Sequence, residues 1–209
     1  MILKHYILLS LLLSQLGLAQ HLKNLDKVQL NPKAMYLVTR GTTSKGAIIA
    51  NQFNLSDRCS THVGIGIVEN GYLKIFHVTN EEKDSPSALA KETVQRFVDV
   101  TDAEYLSIWE CQTATANVAL LRNLLYSYFG EKIAFDFNFN DEDDENMYCS
   151  EFCVKVLKKL NSDFNFPLVE IQLDSFYSLA LGRETLKYWP VDFFQRDGNF
   201  VKIYETWIY

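Results

Sequence analysis

An Asn-Gly pair at positions 70–71, set between two apolar, β-branched runs, constrains the fold more tightly than any other feature of the chain. Residues 61–68 and 72–79 alternate as half-buried strands do, and Asn-Gly between them suits a tight two-residue turn. The spacing predicts a hairpin that pairs Glu69 with Tyr72. Counting outward, it pairs Ile67 with Lys74, Gly64 with His77, and His62 with Thr79. His62 and His77 then share a face within diagonal reach. Gly64 and Gly66 interrupt the first strand, and glycine inside a strand marks close approach of a backbone or ligand. We expect these glycines to let a helix pack tightly on the strand that carries His62.

Further strands are expected at 34–39, 104–110 and 200–208. A short helix fits 47–53 and a weakly helical connector 89–98. Residues 114–129 place Val118, Leu121, Leu124, Leu125 and Tyr128 at helical spacing, with Gly130 as C-cap. Polar and acidic loops cover 80–87 and 135–147, a strong helix follows at 149–160, and the chain turns mixed beyond Phe166-Pro167. Strands and helices are segregated rather than alternating, which predicts a single α+β domain spanning residues 20–209.

Residues 1–19 stand apart: Lys4, then a mostly apolar run over 6–18, then Gly17-Leu18-Ala19 with small residues at the −3 and −1 positions. This pattern predicts a secretory signal peptide of bacterial type and an exported, periplasmic or secreted mature chain. The apolar run is too short to span a bilayer comfortably, and no other segment is long enough to do so. No cysteine follows it to carry a lipoprotein anchor. The remainder has the makings of a real core, with 48% hydrophobic and 13% aromatic residues over a 209-residue chain. A formal charge of −6 and the absence of a Lys/Arg cluster exclude a nucleic-acid footprint. The four cysteines are sparse for a disulfide framework. Cys149 and Cys153 sit one helical turn apart, where bridging is poor, and a Cys59–Cys111 bridge stays open.

Cys149 opens the strongest helix. There, unpaired N–H groups and the helix dipole favour thiolate over thiol. Cys153, among Phe152, Val156 and Leu157, reads as core. His62 supplies a base at the head of a strand, and His77 a third polar group able to fix its tautomer. Asp141-Glu142-Asp143-Asp144-Glu145 fails as a calcium loop, because a register begun at Asp136 lacks glycine at its sixth place and glutamate at its twelfth. It reads as a solvated acidic loop. His62, His77, Cys149 and Cys59 offer zinc-ligand types without a recognised spacing, so no metal or cofactor is expected. Asn54-Leu55-Ser56 matches a glycosylation sequon by chance, given the bacterial leader.

Ser60-Thr61-His62-Val63-Gly64-Ile65, followed much later by Tyr148-Cys149-Ser150-Glu151-Phe152, resembles the circularly permuted branch of the NlpC-type papain-like hydrolases, the YiiX-like amidases. Tyr36-Leu37-Val38-Thr39-Arg40-Gly41 and Phe135-Asp136-Phe137 also look like family features. The resemblance implies a papain-like fold with an antiparallel sheet packed on the cysteine helix. It implies Cys149 as nucleophile, His62 as general base, and His77 where many relatives have glutamate. Tyr148, Glu151 and Asp136 would stand on the oxyanion or substrate side, Glu151 also serving as a helix cap. The implied chemistry is acyl transfer through a thioester from a thiolate–imidazolium pair. The expected substrate is an amide, with cell-wall peptide the favoured class. The permuted branch also resembles lecithin:retinol acyltransferases, which keeps open a lipid-directed hydrolase or acyltransferase acting on a lipid amide. A non-catalytic binding module is the rival from another class.

Overall fold

A computed structural model describes residues 25–80, 87–100, 102–112, 117–140 and 143–208. The leader expected at residues 1–19 lies outside the described residues. Six strands form one antiparallel sheet: β1 (Met35–Thr42), β2 (His62–Glu69), β3 (Tyr72–Val78), β4 (Leu89–Thr93), β5 (Ala103–Cys111) and β10 (Phe200–Trp207). Their order is β10-β5-β1-β2-β3-β4. Two small ladders lie outside it, β6 (Ala134–Phe135) with β7 (Asn146–Met147) and β8 (Val169–Gln172) with β9 (Thr185–Tyr188). The helices are α1 (Lys45–Gln52), α2 (Val94–Val98), α3 (Val118–Phe129), α4 (Cys149–Leu160) and α5 (Ser175–Leu181). The architecture is α+β.

The β2–β3 hairpin forms in the register its turn dictates, with Glu69 opposite Tyr72 and Ile67 opposite Lys74. Asn70 and Gly71 take φ of 51° and 80°, the paired left-handed conformations that match the twist of a hairpin. Alternation along the strands divides the core in two. Met35, Leu37, Val63, Ile65, Ile67 and Phe76 join residues of α3 and α4 on one face. Tyr36, Val38, Leu73, Ile75 and Ile108 join Val94 and Phe97 on the other. Helix α4 seals Phe152, Cys153, Val156 and Leu157 against the first face. Each such apolar side chain contributes about 1.5–3 kcal/mol on burial.

Two expectations are corrected here. A Cβ on Gly64 would lie 2.7 Å from Ile75 Cγ2 and 2.9 Å from His77 Cβ, and one on Gly66 would lie 2.9 Å from Leu73 Cδ1. These neighbours belong to the face turned away from α4. The glycines therefore make room for cross-strand side chains, His77 among them, rather than for the cysteine helix. The segment expected as a helical connector at 89–98 is instead strand β4 followed by the short helix α2. The open edge of β3 supplies ladder partners that override a weak helical preference. The Thr93 hydroxyl then accepts from Arg96 N–H at 3.2 Å and starts the helix. Beyond Phe166 the mixed region resolves into β8, α5 and β9. None of the four cysteines is in a disulfide, so Cys59 and Cys111 are unbridged.

Candidate functional site

Cys149 is the first residue of α4, and two neighbours fix that helix start to one place. The Ser150 hydroxyl donates to the Trp189 carbonyl at 2.6 Å, and Trp189 N–H donates to the Tyr148 hydroxyl at 2.9 Å. One residue's main chain thus grips both sides of the cysteine. Tyr148, expected on the oxyanion side, spends its hydroxyl in this bond and is 3% exposed.

The approach to His62 is held by the same stretch of chain. Asp192, buried, accepts the N–H groups of Leu55, Ser56 and Asp57 at 2.9, 2.7 and 2.9 Å. Val191 N–H donates to Asn54 Oδ1 at 3.1 Å, and Asn54 donates through Nδ2 to the Ser60 carbonyl at 2.7 Å. Residues 188–192 therefore clasp the start of α4 and the loop that feeds β2. The Cys149 sulfur meets β2 at the peptide joining His62 to Val63, where it takes the Val63 N–H. No linear motif marks this clasp as a whole, since each of its bonds joins a side chain to a distant main-chain group of the kind every residue possesses.

His62 Nε2 and His77 Nδ1 are 2.8 Å apart and hydrogen-bonded, the rings meeting edge to face. His77, fully buried, carries the chain on: its Nε2 lies 3.1 Å from Glu92 Oε2 on β4. The other Glu92 oxygen, Oε1, is 3.7 Å from Arg96 Nε. Glu92 lines a cavity of about 550 Å³ together with Lys74, Lys91, Arg96 and Phe129. Sequence reasoning passed over Glu92 because residues 89–93 lack the apolar alternation that announces a strand. It also passed over Arg40 as a site residue. Arg40 pairs across the sheet with His62, is 2% exposed, donates to the Phe97 carbonyl at 2.6 Å and lies over the Phe97 ring.

Electrostatics in this cluster oppose charge separation at rest. Burial pushes the Cys149 thiol above its ordinary value; the Val63 and Ser150 N–H groups and the Arg40 charge pull it back without winning. Burial, then Arg40, then His77 hold His62 well below the usual histidine range. Both directions work against the thiolate–imidazolium pair expected from the helix terminus. Desolvation outweighs the dipole here. Burial resists ionisation of Glu92, but the bond from His77 and then the His77, Arg40 and Arg96 charges prevail, and its carboxyl lies below the usual range.

Glu151 and Asp136 hold local structure. Glu151, completely buried, accepts Tyr148 N–H at 3.2 Å and stands 2.9 Å from Lys155 Nζ. Asp136 accepts Asn138 N–H at 2.7 Å and Asn140 N–H as well, shaping the loop after β6. Burial pushes the Glu151 carboxyl up to about 7, against the pull of Lys155. Between its ordinary value and that one, the folded chain holds a proton the unfolded chain has released, so stability falls as pH rises. The loss is about 3 kcal/mol, complete above about pH 7. Glu151→Gln titrates nothing. Melting curves at about pH 5 and about pH 8 should therefore show the variant losing several degrees less than the parent across that interval.

No family model matches the chain, and no curated protein matches it. Among solved structures it is similar to "metalloprotein yiiX", a DUF1105 protein of Escherichia coli O157:H7, at a TM-score of 0.59 and 14% identity. The alignment covers 85% of this chain and 99% of that one. The fold is YiiX-like. At that identity the likeness is one of architecture, and the side chains of the YiiX-like frame must speak for their own chemistry. Among the described residues, no group of three or more His, Cys, Asp or Glu is arranged to hold a metal ion. No described helix is long and apolar enough to cross a membrane.

Proposed function

We propose that this chain is an exported papain-like cysteine hydrolase that cleaves an amide bond through a thioester, with cell-wall peptide the favoured substrate class. The observation carrying this reading is the meeting of Cys149, at a helix start, with the His62–Val63 peptide, while His62 Nε2 is bonded to His77. That bond leaves Nδ1 as the nitrogen able to serve the sulfur. The thiol proton passes to His62 Nδ1 as sulfur attacks the carbonyl carbon, a coupled transfer suited to a neutral pair. The N–H of Cys149 stabilises the oxyanion, an effect worth several kcal/mol. Collapse breaks the C–N bond, His62 returns the proton to the leaving amine, and water activated by His62 opens the thioester to acid and free thiol.

The yiiX protein is described as a metalloprotein, and a zinc ion held by both His62 and His77 does not fit the geometry of this chain. Two nitrogen ligands on one zinc stand about 3.3 Å apart at tetrahedral angles. His62 Nε2 and His77 Nδ1 approach to 2.8 Å, a hydrogen bond that uses both facing positions.

A lipid amide or ester is the second reading, favoured by three exposed apolar side chains: Phe137 at 64%, Phe176 at 71% and Leu179 at 86%. Incubating the chain with peptidoglycan fragments and, separately, with N-acyl lipid amides, followed by mass spectrometry, tests both. Cleaved peptide amide with a Cys149 acyl adduct on slow substrates supports the first; released fatty acid supports the second. Turnover of neither, with no adduct, leaves a binding module.

A further inference from the structure

The base needs one tautomer, and the residues around it dictate which. A thiol can hand its proton only to a bare His62 Nδ1, so the ring must carry its own proton on Nε2. Nothing within the His62 ring enforces that choice. His62 Nε2 faces His77 Nδ1 at 2.8 Å, and one of the two nitrogens must donate. If His77 carried its proton on Nδ1, His62 would have to accept there and present N–H to the sulfur. The choice is therefore passed to the far side of His77.

There Glu92 stands 3.1 Å from His77 Nε2. An ionised carboxylate can only accept. Arg96 near its other oxygen and the buried charge of Arg40 both act to keep it ionised. His77 must then donate from Nε2, which strips Nδ1 and makes it an acceptor. His62 in turn must donate from Nε2, which strips its own Nδ1.

We propose that Glu92 is a positioning residue that sets the tautomer of His62 through His77, so that the His62–His77–Glu92 line leaves His62 Nδ1 bare to take the thiol proton in the proposed chemistry. The inference rests on the cysteine-hydrolase reading for its use, but its geometry has consequences that need no substrate. In the neutral full-length chain both rings carry the proton on Nε2. Glu92 touches neither thiol nor substrate and acts two imidazoles away. A glutamine can turn its amide N–H toward His77 Nε2, reversing the donor sense along the whole line, whereas an aspartate keeps an acceptor-only group.

Two measurements test it on the full-length protein. Nitrogen-15 NMR of the histidine rings near neutral pH should give protonated Nε2 and bare Nδ1 for both His62 and His77. Protonated Nδ1 on either ring, or a doubly protonated His77, overturns the proposal. Alkylation of Cys149 by iodoacetamide, read at that residue by mass spectrometry, should slow about tenfold at neutral pH in Glu92→Gln, the equivalent of one unit of proton affinity. Glu92→Asp should recover most of the rate. If the parent is alkylated and Glu92→Gln matches it, the positioning role fails while the hydrolase reading stands. If the rings have the stated tautomers but Cys149 neither alkylates nor turns over substrate, the hydrolase reading fails and the tautomer lock stands. Should Glu92→Gln not fold, the parent spectrum and Glu92→Asp still decide the matter.

Discussion

Replacing Cys149 with alanine is expected to cut amide hydrolysis by about 10⁴-fold or more while leaving the fold standing. In the proposed mechanism Cys149 is the nucleophile, and its removal leaves only binding and oxyanion stabilisation, which cannot substitute for a covalent intermediate. The structural loss is small, because the side chain gives up one sulfur at the margin of the core, where it is 8% exposed. That amounts to about 1 kcal/mol, and melting should move by only a few degrees. Rates measured beside thermal unfolding check both halves. A variant that keeps its rate removes the thioester from the mechanism. A variant that unfolds makes Cys149 a packing residue.

Asp192→Ala is expected to act in the opposite way, with stability lost first and activity following. Its carboxylate accepts three consecutive N–H groups, from Leu55, Ser56 and Asp57, and the aspartate is 1% exposed. Alanine leaves those donors without a partner, at a cost of about 3 kcal/mol in total. For a chain of this size that lowers the melting temperature by about 10 °C. Asp192→Asn, which keeps one accepting oxygen, should recover part of the loss. Because the loop it pins leads into β2, surviving protein should also bind substrate less well. Thermal melts of the two variants with KM and kcat measured below the transition give the comparison. Equal stability of Asp192→Ala and the parent would show that the loop holds itself.

How much of this could be read from the residues differs from one element to the next. The hairpin register followed from Asn70-Gly71, because a two-residue turn leaves one pairing, and that pairing put His77 beside His62. The bounds of α4 were equally legible: an apolar stripe begins at Cys149 and Glu151 stands three residues past Tyr148, able to reach back to its N–H. Glu92 was hidden because an edge strand of Ala, Lys, Glu and Thr has no periodic signature apart from the neighbour it pairs with. The role of Gly64 was misassigned for a related reason. Alternation tells which residues share a face, but not which element covers it. The charge state of the thiol was beyond the sequence altogether, since the helix start is local and the desolvation opposing it depends on the whole packed core.

The clasp at residues 188–192 has a consequence for how the molecule comes into being. During synthesis the hairpin with both histidines emerges first and the cysteine helix some seventy residues after it, and the bonds to the helix start and to the loop before β2 form only once Trp189 and Asp192 have left the ribosome. A growing polypeptide would thus carry every group the chemistry requires while having no competent arrangement of them. Under the proposed chemistry, chains that stop short of Trp189 and Asp192 should be chemically silent.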